Sequence, residues 1–584
     1  MKLPSYSQPS TFAFLAVSAV HCTGLAEAFV AKPICESRPS HFLSSSTGQE
    51  VDTSATVVDA KSDDDLYYDK QAWIQGYENV EHESCYVLGN GDATFPKDLE
   101  GTFFQNGHTK FYVNKEENIF HVHPFDADGM ITAITFRDGK GWFRNRYVET
   151  KGYLEEKEAG RVLYRGVFGT ARNNGKWWSN IFDIGTQKNV ANTHVLFQPN
   201  KAAASKPRMY ALWEGGLPHE VDPVTLETIG GETNLDGTID ERYAAHYKID
   251  PETQTVCNFC INVDPPNSHT IQVFEHDLDT MELIYRKDYP GFPGIGLSHD
   301  CAITKDYFVF LQTSTKFDPL PFVLGKKGPA ECIENDEEAT DSSLILIPRG
   351  KEQKEPIIIK TPKMFTFHLS NAFQIEDGGK YLIADMILAD SMMMGPPKDS
   401  EYPTRPIWET FDFDNGFKYQ LRRVKVDLEN KSFVSMKSMT DGIANCEFPV
   451  ISPKVVGKEY QYAYIGASNT VHRNAVVQGL AKVDVKQEKV VDQWKPEKYE
   501  FLGEVAFSPR ASGEDEDDGY LLAFLLNGKD KTSELVIFDA KSIGDGPISR
   551  TKLDYMVNFS LHGIFVPGFT PQMTTEVKDK FETL

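Results

Sequence analysis

Positive charge is scarce in this 584-residue chain: 60 Lys and Arg against 85 Asp and Glu leave a formal charge of -25. That excludes nucleic acid as a partner, because a polyanion is bound by Lys and Arg that release its counterions, and an acidic surface repels phosphate. Cysteine is sparse too. The eight residues are scattered, and only Cys257 and Cys260 form a C-x-x-C pair. Without a second pair no tetrahedral zinc site can be completed, so the thiols read as unpaired and nothing requires an oxidising compartment. No apolar stretch reaches the length of a transmembrane helix. Gly89-Asn90-Gly91 opens like a dinucleotide loop but lacks the third glycine, and there is no P-loop, no G-x-S-x-G and no H-E-x-x-H. Sustained helical periodicity is scarce, and no exact internal repeat appears.

What is present is apolar and aromatic content, 40% and 12%, enough over this length for a large core. The first residues read as an address. Thr11 to Cys22 is a short apolar run preceded by Lys2 and followed by the small-residue pattern Ala26-Glu27-Ala28, which predicts a signal peptide over 1–28. Residues 29–50 are Ser-rich and acid-poor, as transit peptides are, and the junction at Phe29 resembles the bipartite presequence of algae with secondary plastids. Plastid delivery is the expectation, with secretion or the endomembrane system as the alternative. Residues 51–66 are polar and acidic and read as a disordered linker.

From Tyr67 to the end, residues 67–584, short strand-like runs recur, at Tyr307 to Gln312, Tyr381 to Leu388, Tyr460 to Ala467 and Tyr520 to Leu526. Turn signals separate them at Asp128-Gly129, Asp138-Gly139, Asp236-Gly237, Asp377-Gly378-Gly379 and Asp518-Gly519. Many short strands without an interrupting linker predict one large all-β propeller domain. The acidic run Glu514 to Asp518 lacks the spaced ligands and central Gly of a calcium loop and reads as a solvated hairpin turn.

Of the fifteen histidines, His299, His368 and His562 sit inside apolar, strand-like runs, where an unpaired imidazole would cost a few kcal/mol. Each needs a carboxylate or a metal. His246, in AAHYKID, stands in less apolar surroundings. His121 and His123 compete as a metal pair, since alternate residues of a strand share a face. Spacing does not decide between these sets.

From about Gly101 to Gly568 the chain resembles the carotenoid cleavage oxygenases, through several segments in the same order. His123-Pro-Phe-Asp-Ala-Asp-Gly-Met130 is similar to the family's H-W-F-D-G-D-G-M, which does not bind metal. Arg144 to Val148 resembles N-R-Y-V, Asn189 to His194 resembles A-N-T-N-V, and Ala211 to Pro218 resembles L-W-E-G-G. The resemblance implies a seven-bladed β-propeller with a few helices and loops capping its metal-bearing face. It implies iron(II) on His246, His299, His368 and His562, from the A-H-x-K-x-D-P, H-D-x-A-I-T, F-H-x-x-N-A and L-H-G-x-F-V-P segments. It further implies that Glu214 holds His299, Glu447 holds His368 and Glu504 holds His562, with His246 lacking a carboxylate. Thr193 falls where the family sets a small side chain against an open metal position. Departures are Gln374 for an acidic residue, Gln105 to Thr109 for R-N-G-P-N, and Ala127 for glycine.

Such an enzyme uses iron(II) and dioxygen to split one double bond of a polyene into two carbonyl fragments. No acid, base or nucleophile is expected beyond the metal centre; the protein supplies alignment in an apolar tunnel. The alternatives are isomerisation or stilbene-type cleavage at the same site, or a non-catalytic lipid-binding propeller. A hydrophobic polyene implies peripheral membrane contact. Phe317, Leu320, Phe322, Val323 and Leu324, in a loop flanked by Lys316, Lys326 and Lys327, suit either that contact or the tunnel wall. Met392, Met393 and Met394 form a second adaptable apolar patch, read as core.

Overall fold

The computed structural model describes residues 67–582 except 173–176, 184–186, 202–204, 265–266, 352–353, 376–378 and 393–404. The presequence and linker lie outside that range, as do Met393 and Met394; Met392 is buried.

The strand-like runs form where the sequence places them. Tyr307–Gln312 is a strand, as are Tyr381–Ala389, Tyr462–Ala467 and Gly519–Asn527. Their continuous apolar character has a simple origin, because each strand is covered on both faces. In Gly519–Asn527 the side chains of Tyr520, Leu522 and Phe524 enter one core while Leu521, Ala523 and Leu525 enter another. Cys257 and Cys260, an odd number of positions apart on Thr255–Asp264, likewise point into different cores and remain free thiols.

Seven antiparallel sheets carry the fold. Their innermost strands, in chain order, are His194–Gln198, Lys248–Asp250, Ala302–Ile303, Phe365–Ile375, Cys446–Val450, the pair Glu500–Leu502 and Ala506–Pro509, and Gly563–Pro567. Each neighbouring pair of sheets shares one apolar core, and the series returns to its start. Val195 packs with Phe104 and Ile131, Tyr210 with Phe274, Phe259 with Phe310, Val309 with Leu382, Ile383 with Ile465, Tyr464 with Leu521, and Leu522 with Phe103. This is a closed seven-bladed propeller. Closure is made by the last strand: Gly563–Pro567 pairs antiparallel with Gly101–Lys110, Gly101 opposite Pro567 and Gln105 opposite Gly563. In a closed ring the inner strand edges face the central channel, where another chain has no access to pair with them.

The hairpin turns follow their residues. Asp138 (φ 54°) and Gly139 (φ 72°) form a two-residue turn with both centres left-handed, joining Asp128–Arg137 to Lys140–Tyr147. Asp128-Gly129 is a correction, since these residues open a strand rather than a turn. The glycine is needed for close approach: a Cβ at Gly129 would lie 2.3 Å from the carbonyl oxygen of Ala191. The acidic run 514–518 does close a hairpin, yet it is docked on the neighbouring blade, with Glu516 accepting from Gln461 and Tyr462 N–H and Asp517 paired to Lys482. Helices among the described residues are short, the longest being Lys151–Ala159, capped by Thr150 and ended by left-handed Gly160.

Candidate metal centre

The innermost strands deliver their polar residues to one end of the ring. His246 and His299 lie just before Lys248–Asp250 and Ala302–Ile303, and His562 immediately precedes Gly563–Pro567. His368 lies inside Phe365–Ile375, between register shifts at Thr366, Leu369 and Asn371, so a bulge re-aims its ring. Four blades thus present imidazoles. The other three present Thr193, Glu447 and Glu504 at the equivalent positions, and the blade of Thr193 also supplies Glu214 from the turn after Arg208–Leu212.

Ligand nitrogens of His246, His299, His368 and His562 all lie within 4.8 Å of one another. His246 Nε2 and His299 Nε2 are 2.8 Å apart. Two nitrogens bound about 2.1 Å from one ion at a right angle would be separated by about 3 Å. His368 Nε2 is buried and has no hydrogen-bond partner, the state expected of a nitrogen kept for a metal. Three rings are gripped from behind: His299 Nδ1 stands 2.7 Å from Glu214 Oε2, His368 Nδ1 2.6 Å from Glu447 Oε2, and His562 Nδ1 2.6 Å from Glu504 Oε2. A carboxylate at Nδ1 fixes the tautomer and turns Nε2 inward. The residues fit a divalent metal with a preference for imidazole nitrogen.

The electrostatics agree. Burial, reinforced by the neighbouring imidazoles, holds His246 and His562 neutral far below the ordinary histidine value. At His299 burial also favours the neutral ring, but Glu214, Asp300 and Glu447 together outweigh it and the net shift is upward. Burial pushes Glu504 up to about 8, against the pull of His368 and with the help of Glu447.

Thr193 is buried beside the centre. Its hydroxyl donates to Asn192 Oδ1 at 3.0 Å, and its carbonyl accepts the N–H of His562 at 3.2 Å. Phe448 (φ 56°) is an aromatic residue held left-handed in a bulged strand, which places its ring 5.5 Å from that of His368 and 6.1 Å from that of His562. With Phe367, 5.8 Å from His299, it forms an apolar wall. Sequence reasoning missed Phe448, since nothing in CEFPV announces a strained backbone. It also missed the pair of half-buried Lys248 Nζ and buried Asp300 Oδ1, 2.9 Å apart. Asp300 further accepts from Cys301 N and Leu369 N, tying the strand of His299 to that of His368.

The competing pair His121 and His123 does not form a site. Residues 121–123 lie outside any strand, so alternate spacing does not align them. His123 Nδ1 accepts from Phe125 N and its ring stacks on Phe168. His121 instead adjoins Asp128 and Glu156, whose carboxylates hold Lys188 Nζ at 2.7 and 2.5 Å, so an ammonium fills the place of a cation.

The loop 316–327 is buried on one side and exposed on the other. Phe317 and Leu324 are half-buried, while Phe322 and Val323, on the short helix Pro319–Val323, are buried, Phe322 beneath the Arg165 guanidinium at 4.3 Å. Leu320 on the same helix is 60% exposed, and Phe182, whose N–H donates to Val323 O, is 68% exposed.

The family description for retinal pigment epithelial membrane protein matches residues 79–567. Apocarotenoid-15,15'-oxygenase of Synechocystis sp. is 35% identical over 504 residues, covering 85% of this chain and 96% of that protein. Lignostilbene-alpha,beta-dioxygenase isozyme III of Sphingomonas paucimobilis is 29% identical, covering 81% and 92%. The crystal structure of cobalt-substituted Synechocystis ACO superposes with a TM-score of 0.77 at 34% identity, over 86% of this chain and 99% of that one. With its propeller, its four convergent imidazoles and a match across most of its length, this chain belongs to the retinal pigment epithelial membrane protein family of carotenoid oxygenases.

Proposed function

We propose that this protein is a carotenoid cleavage dioxygenase: it splits a carbon–carbon double bond of a carotenoid or apocarotenoid with dioxygen, giving two aldehyde or ketone products. The observation that carries this reading is the convergence of His246, His299, His368 and His562, three of them backed by glutamates. Iron(II) is the metal we assign to them, and when bound it would activate dioxygen beside the double bond. Four neutral nitrogen donors suit that ion and leave coordination positions open. Phe448 and Phe367 offer apolar faces along which a polyene can lie, and Thr193 narrows one approach to the centre. Chain residues therefore select the bond by position, and positioning lowers the barrier.

Exposed Leu320 and Phe182, with Lys326 and Lys327 nearby in sequence, support contact with a membrane surface from which such a substrate is drawn. The presequence pattern supports plastid delivery, which a fluorescent fusion of residues 1–66 tests.

Purified without oxygen and loaded with iron(II), the protein is expected to consume dioxygen and convert a member of a carotenoid panel into two carbonyl fragments, seen by mass spectrometry. His299→Ala is expected to lose metal and turnover together; wild-type iron content and rate in that variant contradict the assignment. The similarity to a lignostilbene dioxygenase favours a second reading, cleavage of a stilbene, and the same assay with a stilbene decides between them.

A further inference from the structure

His246 is the imidazole without a glutamate. Asp300 Oδ1 stands 4.0 Å from its Nδ1, beyond hydrogen-bonding reach. With no carboxylate behind the ring, the place of Nε2 depends on how the backbone that carries His246 is held. That hold comes from the adjacent blade, which contributes no ligand of its own.

His194 Nδ1 lies 2.9 Å from the carbonyl oxygen of Ala245, the residue before His246. A carbonyl can only accept, so Nδ1 carries the proton and donates. The His194 ring stacks on the ring of Tyr247, the residue after His246, at 5.0 Å and 17° between planes. Tyr247 Oη then donates back to the carbonyl of Val195 at 2.8 Å. Consecutive residues of one inner strand thus grip both chain neighbours of the ligand. The same strand start touches the ligand on its other side, through Thr193 O accepting from His562 N at 3.2 Å and through the His194 ring 5.5 Å from that of His562.

We propose that His194 and Tyr247 are positioning residues for His246, a backbone clasp that orients this ligand as Glu214, Glu447 and Glu504 orient the other three. The inference rests on reading the four imidazoles as metal ligands. His194 occupies the last asparagine of the A-N-T-N pattern, and an asparagine amide could make the same bond to Ala245 O without the stacked ring.

The test uses Co(II) alone as the probe, added to metal-free full-length protein and read by its visible absorption bands and dissociation constant. Tyr247→Phe removes one hydroxyl and keeps the ring; His194→Phe keeps a ring and removes the donor. Both are expected to shift the cobalt bands and weaken binding roughly 10–100-fold, the range for lost outer partners of a ligand. His194→Asn should recover most of that loss. Metal-free melting temperatures of Tyr247→Phe and wild type should stay within a few degrees, a separation that a merely structural role does not give. Wild-type bands and affinity in Tyr247→Phe overturn the clasp, and that variant decides alone if His194→Phe fails to fold. Should wild type itself take up no Co(II), the metal-site reading falls and the proposal with it, a result distinct from intact binding in every variant.

Discussion

Glu447 Oε2 accepts two hydrogen bonds, from His368 Nδ1 at 2.6 Å and from the backbone N–H of Phe448 at 2.8 Å. One carboxylate oxygen therefore orients a ligand and holds the strained residue that walls the site. Glu447→Gln keeps the shape and an acceptor for His368 Nδ1 but removes the charge, so His368 loses part of its basicity. Metal affinity should fall roughly 10–100-fold, with the metal-free melting temperature nearly unchanged. Equilibrium dialysis against a chelator measures the first and calorimetry the second. Unaltered affinity would mean that His368 needs no such partner.

Glu504 gives the metal-free protein a pH dependence whose sign is fixed. Its folded value, about 8, lies above the ordinary 4.5, and burial is the main cause. A group raised in the folded state favours folding below its unfolded value, and that contribution is lost as pH rises toward the folded one. Between pH 5 and pH 8 the metal-free wild type should thus lose stability on the order of a few kcal/mol. Glu504→Gln, always neutral, should flatten the profile. Superimposable melting curves of the two proteins across this range would show that Glu504 does not titrate there.

Strand identity was legible because burial on both faces writes itself as an uninterrupted apolar run, as in Gly519–Asn527. The imidazoles His299, His368 and His562 were legible for the converse reason, a polar ring inside such a run. His246 was not, since Lys248 and Asp250 soon interrupt its run, and it came only with the family's segment pattern. Asp128-Gly129 misled because a glycine needed for close approach to Ala191 carries the same letters as a turn. His121 and His123 competed on spacing alone, which presupposed a strand that the chain does not form. The clasp of His194 on Ala245 and Tyr247 has no local signal at all, being made between blades about fifty residues apart.

Leu320 and Phe182 are apolar, exposed and joined through the Phe182 N–H bond to Val323 O. Replacing either with Asp removes membrane-seeking surface without emptying a core, so stability should change by less than about 0.5 kcal/mol. Co-flotation with vesicles containing anionic lipid should fall several-fold for Leu320→Asp and further for the double variant. Equal flotation of wild type and double variant would remove the case for a membrane contact at this loop.

Lys188 is the counter-ion of a buried acidic pair, held 2.7 Å from Asp128 Oδ2 and 2.5 Å from Glu156 Oε2 beside an unpartnered His121. Burial, with the neighbouring Glu156 adding to it, raises Asp128 to about 6 even with the ammonium in place, and burial holds His121 neutral, down to about 3, with Lys188 adding to that shift. Lys188→Met keeps the length of the side chain and strips away the charge, leaving two carboxylates with no cation inside the protein. Breaking a buried pair in this way costs about 3–5 kcal/mol at neutral pH. Protonation relieves the cost. With their balancing charge gone, Asp128 and Glu156 should both have folded values above their unfolded ones, so the variant is most stable in acid and weakens as pH rises through those values. The melting-temperature deficit against wild type should therefore be larger at pH 8 than at pH 5. A deficit that is the same at both would mean that lost packing, not unpaired charge, is what the lysine prevents.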